Sequence, residues 1–234
     1  MGLKEDIAAN IDTIIATRWA ARDGRVVPES DGIKFHGDAV KLDGTFLYAD
    51  LADSTGIAAL DRHLAAEIFQ CFLSTASRVL RNFGGEIRSF DGDRVMAVFI
   101  GDDRNLRGGR AAFCLNWAFS HVLKPKIETA YSAKLRALAL NYGCGMDAGS
   151  VWVIRGGVRD NSDLVWIGSA PNLAARLSEL RNGAYRTWIT GPLYDALPRE
   201  RKFNSADGKS MWEERTWTAH KGLRIYRSSW SRKP

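Results

Sequence analysis

Asp50 closes a short apolar run inside GTFLYADLADST (residues 44–55), and one long helical stretch later a second acidic turn follows, Phe90-Asp91-Gly92-Asp93. The first run reads as a buried strand leaving into a turn. Alternation then places Phe46, Tyr48 and Asp50 on one face, so a ligand of Asp50 also meets Tyr48. Two carboxylates delivered by neighbouring strands, one from Asp50 and one from the acidic turn, can hold a pair of divalent cations such as Mn2+ or Mg2+, and such cations handle phosphates. Farther along, Asn172 and Arg176 stand four residues apart within a helical pattern, which lets both side chains address one ligand. A phosphoryl chemistry that uses cations and an oxygen of its own substrate needs no protein nucleophile. No Ser-His-Asp or Cys-His arrangement is visible.

The elements that would position these groups follow from hydrophobic period and punctuation. Residues 4–22 predict an amphipathic helix with Ile7, Ile11, Ile14, Ile15 and Trp19 at helical spacing, a flap for the main domain or for a partner subunit. Residues 23–43, broken by Gly24, Pro28, Gly32 and Gly37, read as loop. The pattern therefore divides into a helix-and-loop extension, 1–43, and a main domain, 44–234. One long helix is expected over 60–83, where Leu60, Leu64, Ile68, Phe72, Ala76 and Leu80 recur every four residues and Gly84-Gly85 stops it. Strands over 86–90 and 94–100 then form a hairpin through the acidic turn.

A second helix is expected over 105–123, ending before Pro125. Strands over 135–147 and 151–154 should pair back through a turn at Ala148-Gly149. The loop RGGVRDNSD precedes a strand over 164–167, a helix over 170–180, a strand over 185–189 and a short helix over 192–197. Closing strands fall near 212–218 and 223–226. This order predicts an α+β sandwich, with helices covering one face of a mainly antiparallel sheet.

The 234 residues suffice for a sizeable core. Hydrophobic content of 45% and charged content of 26% are those of a globular protein. The net charge of +6 comes from scattered Lys and Arg, whereas nucleic-acid binding needs a concentrated basic stripe, so a small polyanionic substrate is the better match. Cys71, Cys114 and Cys144 are odd in number and far apart, with no metal-type spacing or disulfide framework, which suits a reducing cytoplasm. No apolar run is long enough for a membrane span, and no membrane contact is expected.

Five segments together resemble the class III nucleotidyl cyclases. FLYADLADST is similar to their first metal motif and SFDGDRVMAVF to their second. GCGMDAGSVWV resembles their glycine-rich strand pair, VWIGSAPNLAARLSEL their Asn-x-x-x-Arg helix, and HKGLRIYR the late strand that carries a phosphate-binding Lys. They occur in the family's order over residues 44–227. The resemblance implies that Asp50 and Asp93 bind two divalent cations and that the amides of residues 52–55, with Ser54 and Thr55, receive the terminal phosphates. It implies that Asn172 orients the ribose, Arg176 holds charge on the α-phosphate and Lys221 meets the outgoing pyrophosphate. It also implies a two-fold homodimer, with the aspartates of one subunit facing the Asn, Arg and Lys of the other.

The base readers depart from the purine pattern. Adenylate cyclases place a Lys four residues before the second metal Asp and an Asp seven before the Asn; here those positions hold Ser89 and Val165. The Glu and Cys typical of guanylate cyclases are absent too. Buried polar partners are what separate similar substrates strongly, so losing both argues against purine readout. The chain instead has Tyr48, two residues before Asp50, and Arg94, just after Asp93. A phenol can fill the space of a purine and still offer a hydrogen bond to a smaller ring.

This combination resembles the pyrimidine cyclases of bacterial Pycsar anti-phage systems, which make cyclic UMP or cyclic CMP for a separate, cyclic-nucleotide-activated effector. UTP is favoured over CTP. The alternatives are an adenylate cyclase with divergent base readers and a degenerate domain that only binds nucleotide.

Overall fold

The computed structural model describes residues 2–131 and 140–234. Helix α1 (Leu3–Ala16) leads into a short strand β1 (Ala20–Asp23) and the long strand β2 (Asp38–Leu51). Helices α2 (Ser54–Leu60) and α3 (Arg62–Asn82) follow, then the hairpin of β3 (Glu86–Asp91) and β4 (Arg94–Ile100). Helices α4 (Arg104–Ala118) and α5 (Lys124–Ala130) precede β5 (Tyr142–Val158), β6 (Asn161–Ile167) and α6 (Ser169–Ser178). The chain closes with β7 (Thr187–Thr190), α7 (Gly191–Ala196), α8 (Arg199–Lys202), β8 (Glu213–Trp217) and β9 (Leu223–Ser228).

These strands form one sheet in the order β3-β4-β2-β5-β7-β9-β8, with β1 added beside β2 and β6 beside β5. Among the described strands, β1–β2 and β5–β7 pair parallel and the other pairs antiparallel. The expected α+β sandwich with a mainly antiparallel sheet is what the chain forms. Its helices, however, cover both faces. Leu47, Ala49 and Leu51 of β2 point into a core with Leu64, Ile68, Phe72, Ala76 and Leu80 of α3 and with much of α4. Val40, Leu42 and Phe46 point the other way, against Val27, Ile33 and the α6 residues Ala170 and Ala174. A strand apolar on both faces needs both covered. Truncating fully buried Phe72 to Ala at the first interface would cost about 3–5 kcal/mol.

Several boundaries differ from the sequence reading. The expected helix over 60–83 is α3, which starts at Arg62 because Asp61 breaks it from the preceding helix α2; the Asp61 carboxylate accepts from the amides of His63 and Leu64 at 2.9 and 3.2 Å and caps α3. Pro125 does not end a helix. A single π turn over Phe119–Leu123 resets the hydrogen-bond ladder, and Pro125 falls in the first turn of α5, where its missing N–H is harmless. The Ala148-Gly149 turn does not exist: Ala148 pairs with Thr45 and Gly149 with Gly44, so β5 runs straight through. Its hairpin turn lies instead at residues 159–160, within the expected RGGVRDNSD loop, with Asp160 in the left-handed region at φ 66°. Residues 135–139 of the expected strand over 135–147 lie outside the described residues.

At the N-terminus, helix α1 stops at Ala16 rather than near 22, and Ala20 pairs with Asp38 of β2. Residues 38–43 belong to β2, so the boundary drawn at Gly44 falls inside one strand. Half-buried Asp38 at its start and Lys41 and Asp43 on its exposed positions hid the alternation of Val40 and Leu42. None of the residues of α1 is fully buried, so against the described residues of this chain the expected flap has no buried face.

Candidate active site

The end of β2 carries Asp50 to a position opposite Arg94 of β4 on one side and Gly143 of β5 on the other. The β3–β4 turn presents Asp91 and Asp93 to the same place. It turns through Gly92 at φ 61°, where no neighbour crowds the Cβ position, so backbone conformation is what calls for glycine. Asp50, Asp93, Ser54, Thr55 and Arg94 all line one open cavity of about 510 Å3, and Asp53, Asp91 and Arg181 complete its charged lining.

Four carboxylates therefore face two guanidinium groups, an excess of two negative charges. Asp93 Oδ2 is buried and has no hydrogen-bond partner. A buried carboxylate oxygen left bare is costly, and a divalent cation is a ligand that satisfies it. No group of three or more His, Cys, Asp or Glu side chains suited to a metal occurs among the described residues. The pair Asp50 and Asp93 alone would leave the rest of a cation's shell to substrate oxygens and water. These residues fit a divalent cation.

Asp50 is 16% exposed, and Arg181 Nη2 donates to its Oδ2 at 2.9 Å. Burial pushes the Asp50 carboxyl above the usual carboxylate range; the Arg181 hydrogen bond and charge pull it back, while the Asp93 charge adds to the rise. The amide of Ala52 donates to the Asn141 carbonyl at 2.9 Å, so it is not an anion receptor. The expected set narrows to the residues after it, where Asp53 turns through φ 56° into α2.

Asn172, Arg176 and Lys221 are not brought to this cavity. They lie elsewhere, with Arg176 next to the Lys221 turn. Asn172 and Arg176 are exposed on α6; Asn172 Nδ2 donates to the Gly168 carbonyl at 3.3 Å, and Arg176 Nη1 donates to His220 Nε2 at 3.1 Å. Lys221, beside His220, occupies a left-handed turn at φ 53° ahead of β9, not the strand itself.

A third set marks where a base could sit. Ser89 pairs with Met96 and Met96 with Tyr48, so the three form a row on one face across β3, β4 and β2. Tyr48 Oη donates to Met96 Sδ at 3.1 Å, and the Arg94 guanidinium carbon lies 5.7 Å from the Tyr48 ring centroid. Val165 does not join this row within the chain. Alternation along β6 turns Leu164 and Trp166 to the Phe46 side and leaves Val165 on the opposite face, 44% exposed.

Arg181 escaped the sequence reading because it lies past the helical pattern of α6. The available signal was Gly143 and Gly145, spaced two apart on β5. Side chains there would collide with the backbone of residues 174–178, so the glycines let α6 lie directly on the strand.

No family model matches the chain. It is 38% identical, over all of its length and 99% of the relative's, to a uridylate cyclase of Rhodovulum sp. (strain MB263). It is also 38% identical, over 98% of both chains, to a uridylate cyclase of Xanthomonas perforans. The chain belongs to the uridylate cyclase family.

The coarse activity of this cyclase is nucleotide cyclisation, and the class III resemblance stands. Among solved structures, the adenylyl cyclase CyaB from P. aeruginosa matches with a TM-score of 0.66 over 83% of this cyclase and 97% of that chain, at 21% identity. That identity shows a shared fold alone.

Proposed function

We propose that this cyclase converts UTP to the 3′,5′-cyclic monophosphate and pyrophosphate in a two-fold homodimer with two composite sites. The observation that carries the reading is the separation of the site residues into two groups. One chain gathers the carboxylates around an open cavity of about 510 Å3 and holds the exposed Asn172, Arg176 and Lys221 elsewhere. Two copies related by a two-fold axis would make each group complete the other.

In this reading Asp50 and Asp93 hold divalent cations, Mn2+ or Mg2+, which when bound lower the pKa of the ribose 3′-hydroxyl and neutralise the triphosphate. Ser54 and Thr55 hold the terminal phosphates. From the other subunit, Asn172 orients the ribose and Arg176 holds the charge that develops on the α-phosphate. The 3′-oxygen attacks the α-phosphorus in line, the bond to the bridging oxygen breaks, and Lys221 meets the leaving pyrophosphate. Tyr48, Ser89 and Arg94 frame the base, and Val165 reaches it from the other subunit.

UTP is supported over CTP by the names of the full-length relatives and over ATP by Tyr48 standing where no purine reader is present. The product then serves as a messenger for a separate effector in anti-phage defence, as in the Pycsar systems the sequence resembles. Among the described residues no helix is long and apolar enough to cross a membrane, which is compatible with a cytoplasmic enzyme. The test is product identification by mass spectrometry after incubation with all four NTPs and Mn2+, beside Asp93→Ala. Cyclic UMP from the wild type alone supports the reading, and dominant cyclic AMP overturns it.

A further inference from the structure

Arg181 is seated on Asp50 by features that converge from three elements. Its Nη2 donates to Asp50 Oδ2 at 2.9 Å, and its Nη1 donates to the Ser178 carbonyl at the end of α6. That carbonyl end is where a helix favours positive charge. Gly143 stands directly opposite Asp50 in the β2–β5 register, and a Cβ there would meet both the Ser178 carbonyl and Arg181 Nη1. The glycine thus leaves room for a guanidinium against this one carboxylate. A second bridge, Arg94 to Glu179 at 3.4 Å, ties the acidic turn to the same end of α6.

The two metal carboxylates consequently differ. Asp93 Oδ2 is buried and bare, whereas Asp50 Oδ2 already has a cationic partner. A divalent cation that bridges the pair through Asp50 Oδ2 displaces that partner.

We propose that Arg181 is a resident counter-ion of Asp50 that a divalent cation displaces, so that it sets the metal affinity of the nucleotide-free enzyme. This rests on the metal reading of the aspartate pair given above. Arg181 is a positioning residue: it holds the Asp50 carboxylate by one oxygen before metal arrives, and it makes entry of the cation a competition. It also hangs from the helix that carries Asn172 and Arg176. Its release therefore loosens the tie between a subunit's own carboxylates and the helix it lends to its partner.

The experiment is Mn2+ titration of the full-length protein without nucleotide, read by the loss of the free-ion EPR signal, for wild type, Arg181→Gln, Arg181→Lys and Asp50→Asn. Removing the competing charge should tighten Mn2+ binding in Arg181→Gln on the order of tenfold, the scale of one charge-assisted hydrogen bond. Arg181→Lys, which keeps the charge, should stay near wild type, and Asp50→Asn should lose binding. Equal Mn2+ affinity in wild type and Arg181→Gln overturns the counter-ion role while leaving the metal site intact. Absence of Mn2+ binding in the wild type and in Arg181→Gln overturns the metal reading and the counter-ion role together. Circular dichroism of each variant shows that affinity is compared between folded proteins.

Discussion

Tyr48 and Met96 stand opposite each other across β2 and β4, and the phenol hydroxyl points at the thioether, 3.1 Å away. That contact ties the ring to the sheet row that leads to Ser89. Tyr48→Ala should open the row, lowering the UTP-over-ATP ratio of kcat/KM by about 10- to 100-fold, the range that one pocket group supplies. Tyr48→Phe should keep the volume and most of the ratio. Competition assays with both nucleotides in one tube measure the change directly.

Arg176 and the carboxylates sit in different neighbourhoods of one chain, which gives the composite site a test by complementation. Arg176→Ala should lower turnover on the order of 100-fold, as loss of a transition-state donor does elsewhere. Asp93→Ala should be inactive. Mixed in equal amounts and allowed to exchange subunits, the two inactive proteins should recover about a quarter of wild-type activity, since half the dimers would carry one intact site of two. No recovery, with exchange verified by tagged subunits, would exclude a site shared between subunits.

Asp50 has a pH signature. Its carboxyl is held above the usual range chiefly by burial, so between the ordinary carboxylate value and the raised folded value the native state binds more protons than the unfolded state. Stability of the metal-free protein should therefore fall as pH rises through that window and stay lowered above it. Asp50→Asn removes the buried charge and should flatten this part of the profile while abolishing activity. Urea midpoints from pH 4 to 8 in EDTA, for wild type and variant, check the sign. Added Mn2+ should raise the wild-type midpoint at neutral pH and leave Asp50→Asn unmoved.

Gly143 and Gly145 hold α6 against β5 without the help of unusual backbone angles, since neither has positive φ. Gly145→Ala would drive a methyl into the backbone of residues 174–178 and should cost about 1–3 kcal/mol, as overpacking does. Chemical denaturation gives the loss, and a near-UV circular dichroism change should accompany it through Trp166, packed 5.6 Å from Phe46 beneath α6.

The amino-acid order alone was enough to propose a chemistry and to place most of the elements. An aspartate ending an apolar alternation, a second aspartate after an Asp-Gly turn, and an Asn and Arg one helical turn apart are local patterns. Local patterns survive in one dimension because neighbours in sequence set the backbone. The same locality misled at Ala148-Gly149, whose small residues mimic a turn although β2 pairs straight past them, and at residues 38–43, whose polar positions masked a strand.

Tertiary structure decided what depends on residues far apart in the chain. It placed Asp50 131 residues from Arg181 in sequence and yet in contact, left Asp93 Oδ2 without a partner, and turned Val165 away from Tyr48. Such facts follow from how strands register and how closely a helix can lie on glycine. No spacing rule along the chain encodes them, because each is set by the sheet order and the packing of the whole domain.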